Sequence, residues 1–574
     1  MPSPTARPAS PRRWILVLGL GLLACRSDGD PVQPPHLLRD STLPTDLPLH
    51  IEGMYITQGS QRLDRSVPLV QGKDGYLRVF VLANAWNAPA TPVRVRVLDP
   101  GGRTLLDRTL PGPGSGVPRA VREADPALSW NLPLEGRLIQ PGNRYLAQVA
   151  GPAPGLETGD LSYPADGSAL PLAVVPAAPL RLTLIPIRAQ GRTGVVTSAG
   201  RSLESWVEGL VQVFPLGRVM VRLGAEYVTD LDPHDDAQQA RLLDRLEAMR
   251  LAGGDDFRYC FGVYPARSGR NKSGLGYVPP VPGPASRTAI GWDGAGYAQT
   301  LIHELGHNLG LRHAPCGPAD QFPRQLDPGF PYPGGGIGAC GFEVRNGTAK
   351  DPEVYKDVMS YCAPTWSSDY DCKAILAFRA GEPEGPAPSL GAAAQEGLLV
   401  RGFIRPGRAE LEPAFQVRRA PFPPSPGEYL LTALDARGHI LASVPFAPSA
   451  IEDLPGEPDL AGFAFVIPLT VAMADSLAVL RVSLHGATLG ERHAPGHGAG
   501  GEAFEPHAAR DGHGLVRLRW DAQARPEVIV RDPASGEILS MGADGHLTVD
   551  TRAHELECLF SDGLRTLVRK VAVQ

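Results

Sequence analysis

Three histidines and one glutamate near the middle of the chain have the residue types and the spacing of a metal site. They lie in the sequence TLIHELGHNLGLRHAP as His303, Glu304, His307 and His313. On a helix, residues four apart lie on one face, so His303 and His307 can direct two imidazoles at one ion. Gly310 lies where the chain must leave the helix, because only glycine adopts a positive φ without steric cost. The turn that follows can bring His313 back as a third ligand.

This ligand set predicts zinc and a hydrolytic chemistry. Three neutral imidazoles and one water form the open tetrahedral site of catalytic Zn²⁺, which lowers the pKa of that water. Glu304 follows the first histidine and can accept the proton of the water without being a ligand. An apolar face at helical spacing supports a buried helix and consists of Leu301, Ile302, Leu305, Leu309 and Leu311. The alternative is an amphipathic helix whose histidines are ordinary surface or core residues.

A second motif lies downstream in the sequence DVMSYC, which contains Met359 and Tyr361. With these two motifs the chain resembles the metzincin clan of zinc endopeptidases, whose signature is the long zinc motif followed by a methionine turn. The resemblance implies that Met359 packs beneath the three imidazoles. It also implies that Tyr361 takes the place of the astacin and serralysin tyrosine that ligates zinc or hydrogen bonds to the tetrahedral intermediate. A core tyrosine whose hydroxyl is bonded to the backbone is the alternative for Tyr361.

The stretch 316–370 resembles the large secreted bacterial metalloproteases of the StcE type and related lipoproteins. The likeness is carried by the sequences HAPCG, FPYPGGGIG, DVMSYC and WSSDY. It implies a zinc endopeptidase that cleaves extracellular proteins or glycoproteins, with Glu304 as general base and Tyr361 as a second catalytic residue. The rival hypothesis is a cell-surface binding or adhesion protein with a vestigial metal site.

The composition limits the remaining function classes. A chain of 574 residues is too long for one core and predicts several domains. The 66 glycines and 59 prolines favour turns and short strands over long helices. A formal net charge of −6 argues against nucleic acid as a partner. We therefore expect a monomer whose partner is a protein or glycoprotein substrate.

The N-terminus predicts export. Three arginines precede an apolar run at 14–24, which is too short to span a bilayer and is typical of a signal peptide. The run ends Leu-Leu-Ala before Cys25 and resembles a bacterial lipobox, so residues 1–25 are interpreted as a lipoprotein signal with lipidation of Cys25. Arg26 is not the aspartate that retains lipoproteins in the inner membrane, which favours the outer membrane or cell surface. Residues 26–48 are predicted to be a Pro-rich tether, and ordinary cleavage with secretion is the alternative.

Six cysteines besides Cys25 fit disulfides in an oxidising compartment. Four lie close to the zinc motif, namely Cys316, Cys340, Cys362 and Cys372. The spacing alone leaves three pairings open, but the family resemblance favours Cys316 with Cys362, and then Cys340 with Cys372. A second metal site from these four is disfavoured because none forms a CxxC pair. Cys260 and Cys558 are expected to be separate buried thiols.

Strand periodicity at 49–176 predicts an N-terminal β-sandwich of the immunoglobulin or fibronectin type, without a catalytic constellation. The segment 177–390 alternates strands and helices before the zinc helix. This order predicts an α/β (α+β) fold with a mostly parallel sheet, interpreted as a metzincin-like zinc protease domain. The resemblance to metzincins implies that part of 274–292 supplies an edge strand that binds substrate in extended form.

The C-terminal third is again β-rich. A β-sandwich module is predicted at 396–489, a Gly/His-rich linker at 490–514 and a small β module at 515–574. The fold expected from the sequence is therefore a multidomain chain in which an α/β zinc protease domain is flanked by β-sandwich modules.

Overall fold

The computed structural model describes residues 49–574 apart from a set of short gaps. The gaps are 84–89, 152–159, 254–258, 268–273, 318–323, 383–395, 420, 423, 455 and 496–503. All described residues belong to the compact unit Asp40–Gln574. The predicted signal peptide 1–25, the lipidation of Cys25 and the tether 26–48 lie outside the described residues. None of the helices in the described part of the chain is long and apolar enough to cross a membrane.

Short strands dominate the N-terminal segment, as its Gly- and Pro-punctuated sequence predicts. Its strands are β1 (Leu49–Thr57), β2 (Ser60–Gln61), β3 (Leu69–Val70), β4 (Gly75–Ala83), β5 (Val93–Leu98), β6 (Thr104–Leu110), β7 (Trp130–Leu134), β8 (Arg144–Val149), β9 (Ser162–Tyr163), β10 (Leu170–Pro171) and β11 (Val174–Val175). One sheet has the order β1-β4-β7, and a second has the order β10-β8-β5-β6 with β9 beside β8. Inward side chains of both sheets share one apolar core, which is centred on Val79, Val95 and Trp130.

The segment that contains the zinc motif mixes strands with the longer helices. Its strands are β12 (Leu180–Ala189), β13 (Arg192–Thr193), β14 (Val219–Leu223), β15 (Tyr227–Thr229), β16 (Tyr259–Tyr264), β17 (Gly274–Val278), β18 (Thr288–Trp292), β19 (Cys340–Glu343), β20 (Thr348–Lys350), β21 (Lys356–Asp357) and β22 (Thr365–Trp366). Its helices are α1 (Glu204–Val213), α2 (Asp236–Gly253), α3 (Tyr297–Asn308) and α4 (Asp369–Ala380). Strands β14, β12, β16 and β18 are parallel neighbours, as predicted, and β17 runs antiparallel to β18.

The remaining chain is almost entirely β. Its elements are β23 (Glu396–Arg405), β24 (Arg408–Leu411), β25 (Phe415–Arg418), β26 (Tyr429–Asp435), β27 (Ile440–Phe446), β28 (Ser449–Glu452), β29 (Ala461–Pro468), α5 (Val471–Ser476), β30 (Leu477–Leu484), β31 (Ala487–His493), β32 (His507–Arg510), β33 (Val516–Arg519), β34 (Glu527–Arg531), β35 (Ile538–Ala543), β36 (His546–Val549), β37 (Glu555–Ser561) and β38 (Thr566–Ala572). The predicted linker 490–514 therefore carries strand at both described ends, in β31 and β32.

The main sheet does not end at the zinc segment. It has twelve strands in the described residues, and its central path is β13-β12-β16-β18-β17-β28-β29-β23-β24. The bonds between β17 and β28 join the segment 177–390 to the segment 396–489 in one sheet. An α/β domain that folds beside separate β-sandwiches is therefore the wrong description of this chain. Strands account for 43% of the described residues and helices for 14%, so the fold is mostly β.

The faces of this sheet carry two different cores. On one face α2 packs with Leu275, Ile290 and the strands of the 396–489 segment. A separate apolar cluster includes Trp206 of α1 together with Leu301 and Leu305 of α3. Asn308 anchors α3 to the sheet, because its side-chain amide donates to the carbonyls of Tyr277 (2.9 Å) and Thr288 (3.1 Å).

The N-terminal sandwich is bonded directly to the zinc segment, where the sequence indicated only a spacer or positioning module. Strand β2 pairs with β19, which makes a small sheet in the order β2-β19-β20. The Trp366 indole donates to the Gly59 carbonyl at 3.1 Å, and the Lys73 ammonium donates to the Phe214 carbonyl at 2.7 Å. This pairing holds β19 and β20, which lie between His313 and Met359 in the sequence, against the N-terminal segment.

Candidate metal centre

Helix α3 and the turn after it place the three histidines. Leu301 and Leu305 are fully buried and fix the face of the helix that carries His303 and His307. At Gly310 the backbone has φ +88°, as predicted. A Cβ at this position would lie 2.8 Å from a ring carbon of Phe378, so both the backbone and the space require glycine.

The structure brings the predicted ligands together. The Nε2 atoms of His303 and His313 lie 3.3 Å apart, and the rings of His307 and His313 have centroids 4.7 Å apart. The ligand atoms of these three histidines and of Asp453 all lie within 4.8 Å of one another. Within the described residues this is the one group of side chains whose ligand atoms meet in this way.

Backbone carbonyls orient two of the rings. His303 Nδ1 lies 2.9 Å from the Val358 carbonyl oxygen, and His307 Nδ1 lies 2.9 Å from the Leu311 carbonyl oxygen. A carbonyl only accepts, so each Nδ1 must carry the proton. The lone pair of each Nε2 is then directed into the centre, as in histidines that ligate metals.

Asp453 is the member of the site that the sequence did not indicate. Its Oδ2 lies 3.3 Å from His303 Nε2 and 3.4 Å from His307 Nε2, and its Oδ1 lies 3.3 Å from His313 Nε2. It follows β28 in the turn toward β29, far along the chain from the zinc motif. The sequence there, Glu-Asp-Leu-Pro-Gly, indicates a turn, but no spacing relates it to the histidines.

Burial and charge shift the pKa values in the centre in different directions. Burial lowers the pKa of His307 to about 4. Burial also acts to lower the pKa of His303, but the hydrogen bond and the charge of Asp453, together with the Val358 carbonyl and the charge of Asp357, outweigh it and leave that pKa raised. Burial acts to raise the pKa of Asp453, but the three imidazoles hold it well below its usual range. These shifts favour an ionised Asp453 beside an uncharged His307.

Glu452, next to Asp453, is a second carboxyl group that the sequence did not indicate. Its Oε2 lies 3.6 Å from His313 Nδ1, and burial raises its pKa to about 8. At neutral pH this group is therefore mostly protonated.

The two predicted catalytic residues lie on different sides of the centre. Glu304 is 2% exposed and packs against β17, where a Cβ on Gly274 would lie 2.3 Å from its Oε1. The glycine thus provides the space for the carboxylate. Tyr361 is 43% exposed, and its hydroxyl lies 3.2 Å from His313 Nε2. This tyrosine points at the centre and not at a backbone group in the core.

Met359 forms the floor of the centre. It is fully buried, and a Cβ on Gly306 would lie 2.5 Å from its sulfur, so the methionine lies directly against α3. Asp357 holds this turn by accepting hydrogen bonds from the backbone of Met359 (2.7 Å) and Ser368 (2.8 Å). Asp371 lies beside it, and burial raises the pKa of both carboxyl groups.

The disulfide predictions have mixed outcomes. Cys316 and Cys362 form a disulfide, and this bond joins the segments that follow His313 and Met359. Cys340 and Cys372 do not pair, because Cys340 lies on β19 beside Arg78 while Cys372 lies on α4 against Ser367. Cys260 and Cys558 are separate buried thiols, as expected.

The predicted peptide-binding edge is not free. Strand β17 supplies that edge, and it pairs antiparallel with β28, with Gly276 opposite Glu452 and Val278 opposite Ala450. The same pairing carries Asp453 to the position where a water would complete the zinc site. In this structure an extended peptide has neither an unpaired strand edge nor an open ligand position.

No protein-family model and no curated protein matches the chain. Several solved structures match over much of its length. A β-glucuronidase from Parabacteroides merdae has a TM-score of 0.16 and 8% identity over 92% of this chain and 78% of that chain. A glycosyl hydrolase family 2 member from Bacteroides cellulosilyticus has a TM-score of 0.14 and 10% identity over 92% and 79%. A β-glycosidase from Bacteroides vulgatus has a TM-score of 0.16 and 7% identity over 92% and 80%. At these TM-scores the likeness transfers no fold and no active-site residue to this chain.

The predicted membership in the metzincin clan, with its StcE-type branch, is wrong, and so is the zinc endopeptidase that it implied. The physical reasons lie in the closed β17 edge, in the mostly β fold and in the fourth position, which Asp453 takes. The alternative of an adhesion protein with a vestigial metal site is not supported either.

Proposed function

We propose that the protein binds one divalent metal ion of the zinc class in a four-ligand centre made of His303, His307, His313 and Asp453. Three imidazole nitrogens and one carboxylate oxygen are a ligand set that Zn²⁺ accepts in tetrahedral geometry. The ligand atoms lie within 4.8 Å of one another, which fits a single ion between them.

The orientation of the rings is the observation that carries this proposal. His303 and His307 donate their Nδ1 protons to the carbonyls of Val358 and Leu311, so the neutral form of each ring directs its Nε2 lone pair into the centre. Converging lone pairs beside a carboxylate repel one another, and a cation removes that repulsion. Ordinary core histidines have no reason to converge in this way.

The surrounding residues have separate tasks in the proposed centre. A bound zinc ion would act as a Lewis acid on an oxygen ligand. The two carbonyls hold the tautomers, Met359 supplies an apolar floor, and Asp453 supplies the negative charge that offsets part of the charge of the ion. The Tyr361 hydroxyl, 3.2 Å from His313 Nε2, is placed to hydrogen bond to a group bound there.

Metal analysis of the full chain tests the proposal. The protein is stripped with a chelator, reloaded with Zn²⁺, dialysed and measured by elemental analysis. We expect about one zinc per chain in the wild type and almost none in His307→Ala. His507→Ala is the matched control, because His507 is exposed on β32 away from the centre and should leave zinc binding unchanged. Substoichiometric zinc in the wild type, or equal zinc in His307→Ala, would show that the histidines do not form a metal site.

Export with a lipid anchor at Cys25 is proposed on the sequence of residues 1–25. The Cys316–Cys362 disulfide supports an oxidising compartment. Incorporation of labelled palmitate should be lost in Cys25→Ser and kept in Cys260→Ser, because Cys260 is buried in β16. Equal labelling of both variants would refute the anchor.

A further inference from the structure

We infer that Asp453 is a displaceable ligand, and that the turn that carries it closes a subsite for outside oxygen-donor ligands such as carboxylates and hydroxamates. The turn consists of the described residues of 453–460, which are all but residue 455, between β28 and β29, and is called the Asp453 turn. This inference rests on the proposed metal centre and adds how access to that centre is controlled.

The histidines and the aspartate belong to different apolar cores. Val358 and Leu311, whose carbonyls orient the rings, pack in the cluster that contains α1 and α3. Leu454 and Leu460 of the Asp453 turn pack in the other cluster, with α2 and β29. The three histidines are therefore held in place by contacts that do not include the Asp453 turn. Removal of the carboxylate leaves three ligands already in position.

Few backbone pairs attach the strand β28, and with it the Asp453 turn, near the centre. Strand β28 has four residues, and its register with β17 covers Ala450, Ile451 and Glu452. Its register with β29 covers two residue pairs. Separation of β28 from β17 would break this short ladder and shift Ile451, whereas separation of the histidines would disrupt α3 and its core.

The backbone at Asp453 opposes the closed arrangement. Its φ is +65°, in the left-handed region that glycine adopts freely and aspartate or asparagine only occasionally. The contacts of the carboxylate with three imidazoles offset this strain. If another oxygen donor takes over those contacts, the backbone is free to relax.

Tyr361 connects the centre with the surface of the protein. This residue is 43% exposed while its hydroxyl lies 3.2 Å from His313 Nε2. A small ligand that arrives from solvent meets this hydroxyl first and can then replace the oxygens of Asp453. The chemistry of the displaced group, a carboxylate, defines the class of ligand that fits.

Cobalt-substituted full-length protein with acetohydroxamate as the probe tests the inference. The visible absorption of bound Co²⁺ reports a change in its ligands. The key variant is Asp453→Asn, because asparagine tolerates the left-handed backbone but does not supply the charged oxygens. Asp459→Asn is the matched control, since Asp459 lies in the same turn and bonds only to exposed Arg324 in the described part of the chain.

We expect Asp453→Asn to keep one Co²⁺ and to bind acetohydroxamate at least about tenfold more tightly than the wild type or Asp459→Asn. Equal probe affinity in wild type and Asp453→Asn would overturn the inference, because the position would already be open. Loss of Co²⁺ from both Asp453→Asn and Asp453→Gly would also overturn it, because the aspartate would then be a permanent ligand. Failure of the wild type to bind Co²⁺ would instead refute the metal centre itself, and this result is distinct from the other two.

Discussion

The two halves of the candidate metal centre are assembled in different ways. The histidine half comes from α3 and the turn at Gly310, and it is supported from below by Met359. The carboxylate half comes from β28, which reaches the centre only because it pairs with β17. One half is encoded by a local motif, and the other depends on a long-range strand pairing. A complete metal motif in the sequence therefore does not by itself establish an open active site.

Of the changes considered, loss of a histidine should weaken zinc binding the most. Structural zinc sites bind with about 10–16 kcal/mol in total, so one of four ligands supplies about 3 kcal/mol. His307→Ala should therefore weaken Zn²⁺ binding by more than about a hundredfold, measured by competition with a chromogenic chelator. If Asp453→Ala weakens binding as strongly as His307→Ala, the two halves are equivalent and the comparison fails.

Truncation of Met359, which packs beneath the histidines, distinguishes an effect on zinc affinity from an effect on general stability. Met359→Ala removes a fully buried side chain beneath α3 and should cost about 2–5 kcal/mol in the free energy of unfolding, and it should also weaken zinc binding. Met541→Ala is the matched control, because Met541 is equally buried but lies in the other core. Urea titration and zinc titration of both variants give the comparison. A similar loss of zinc affinity in both would mean that the histidine half has no separate support.

Replacement of Asp357 and of Asp371 by asparagine should have opposite effects on the stability of the protein. Asp357 accepts backbone hydrogen bonds on both oxygens, so Asp357→Asn loses one and should destabilise the protein. Burial raises the pKa of Asp371, so the folded state keeps a proton there that the unfolded state releases. Asp371→Asn should therefore raise the melting temperature at pH 7, and its advantage should vanish below the unfolded pKa of about 3.9. Equal destabilisation by the two variants would contradict this assignment.

The smallest effect is expected at Glu452, on the carboxylate half. Burial raises its pKa to about 8 in the folded protein, above about 4.3 in the unfolded chain. The unfolded state therefore binds fewer protons between these values, and the wild type loses stability as the pH rises through this window. Glu452→Gln should remove that loss, so thermal unfolding should show a gain over the wild type at pH 7.5 and none at pH 4. A gain of the same size at both pH values would mean that ionisation of Glu452 is not its cause.

Local periodicity predicts much of the fold. Val93–Leu98 alternates apolar and charged residues and Tyr259–Tyr264 is almost entirely apolar, and both are strands as such patterns predict. The zinc helix and the positive φ of Gly310 follow from the same kind of local information. Side-chain period and glycine chemistry act over a few residues, so they can be read directly from the sequence.

The rest of the fold depends on contacts that leave no local pattern. The β17–β28 pairing is made by main-chain groups, so the side chains of Gly274–Val278 do not identify the strand that pairs with them. For the same reason Asp453 could not be assigned to the centre from its position in a turn. The family resemblance supplied an open peptide-binding cleft where the chain places its own strand.

The β17–β28 ladder has a practical consequence for studies of shortened versions of this protein. A fragment that stops at residue 390 would keep the three histidines of the centre. It would leave β17, which is buried in the full chain, without a partner on the edge that β28 covers. Such exposed edges recruit other chains and promote aggregation. Insoluble expression of that fragment would thus reflect a missing neighbour strand and would say nothing about whether the histidines hold a metal.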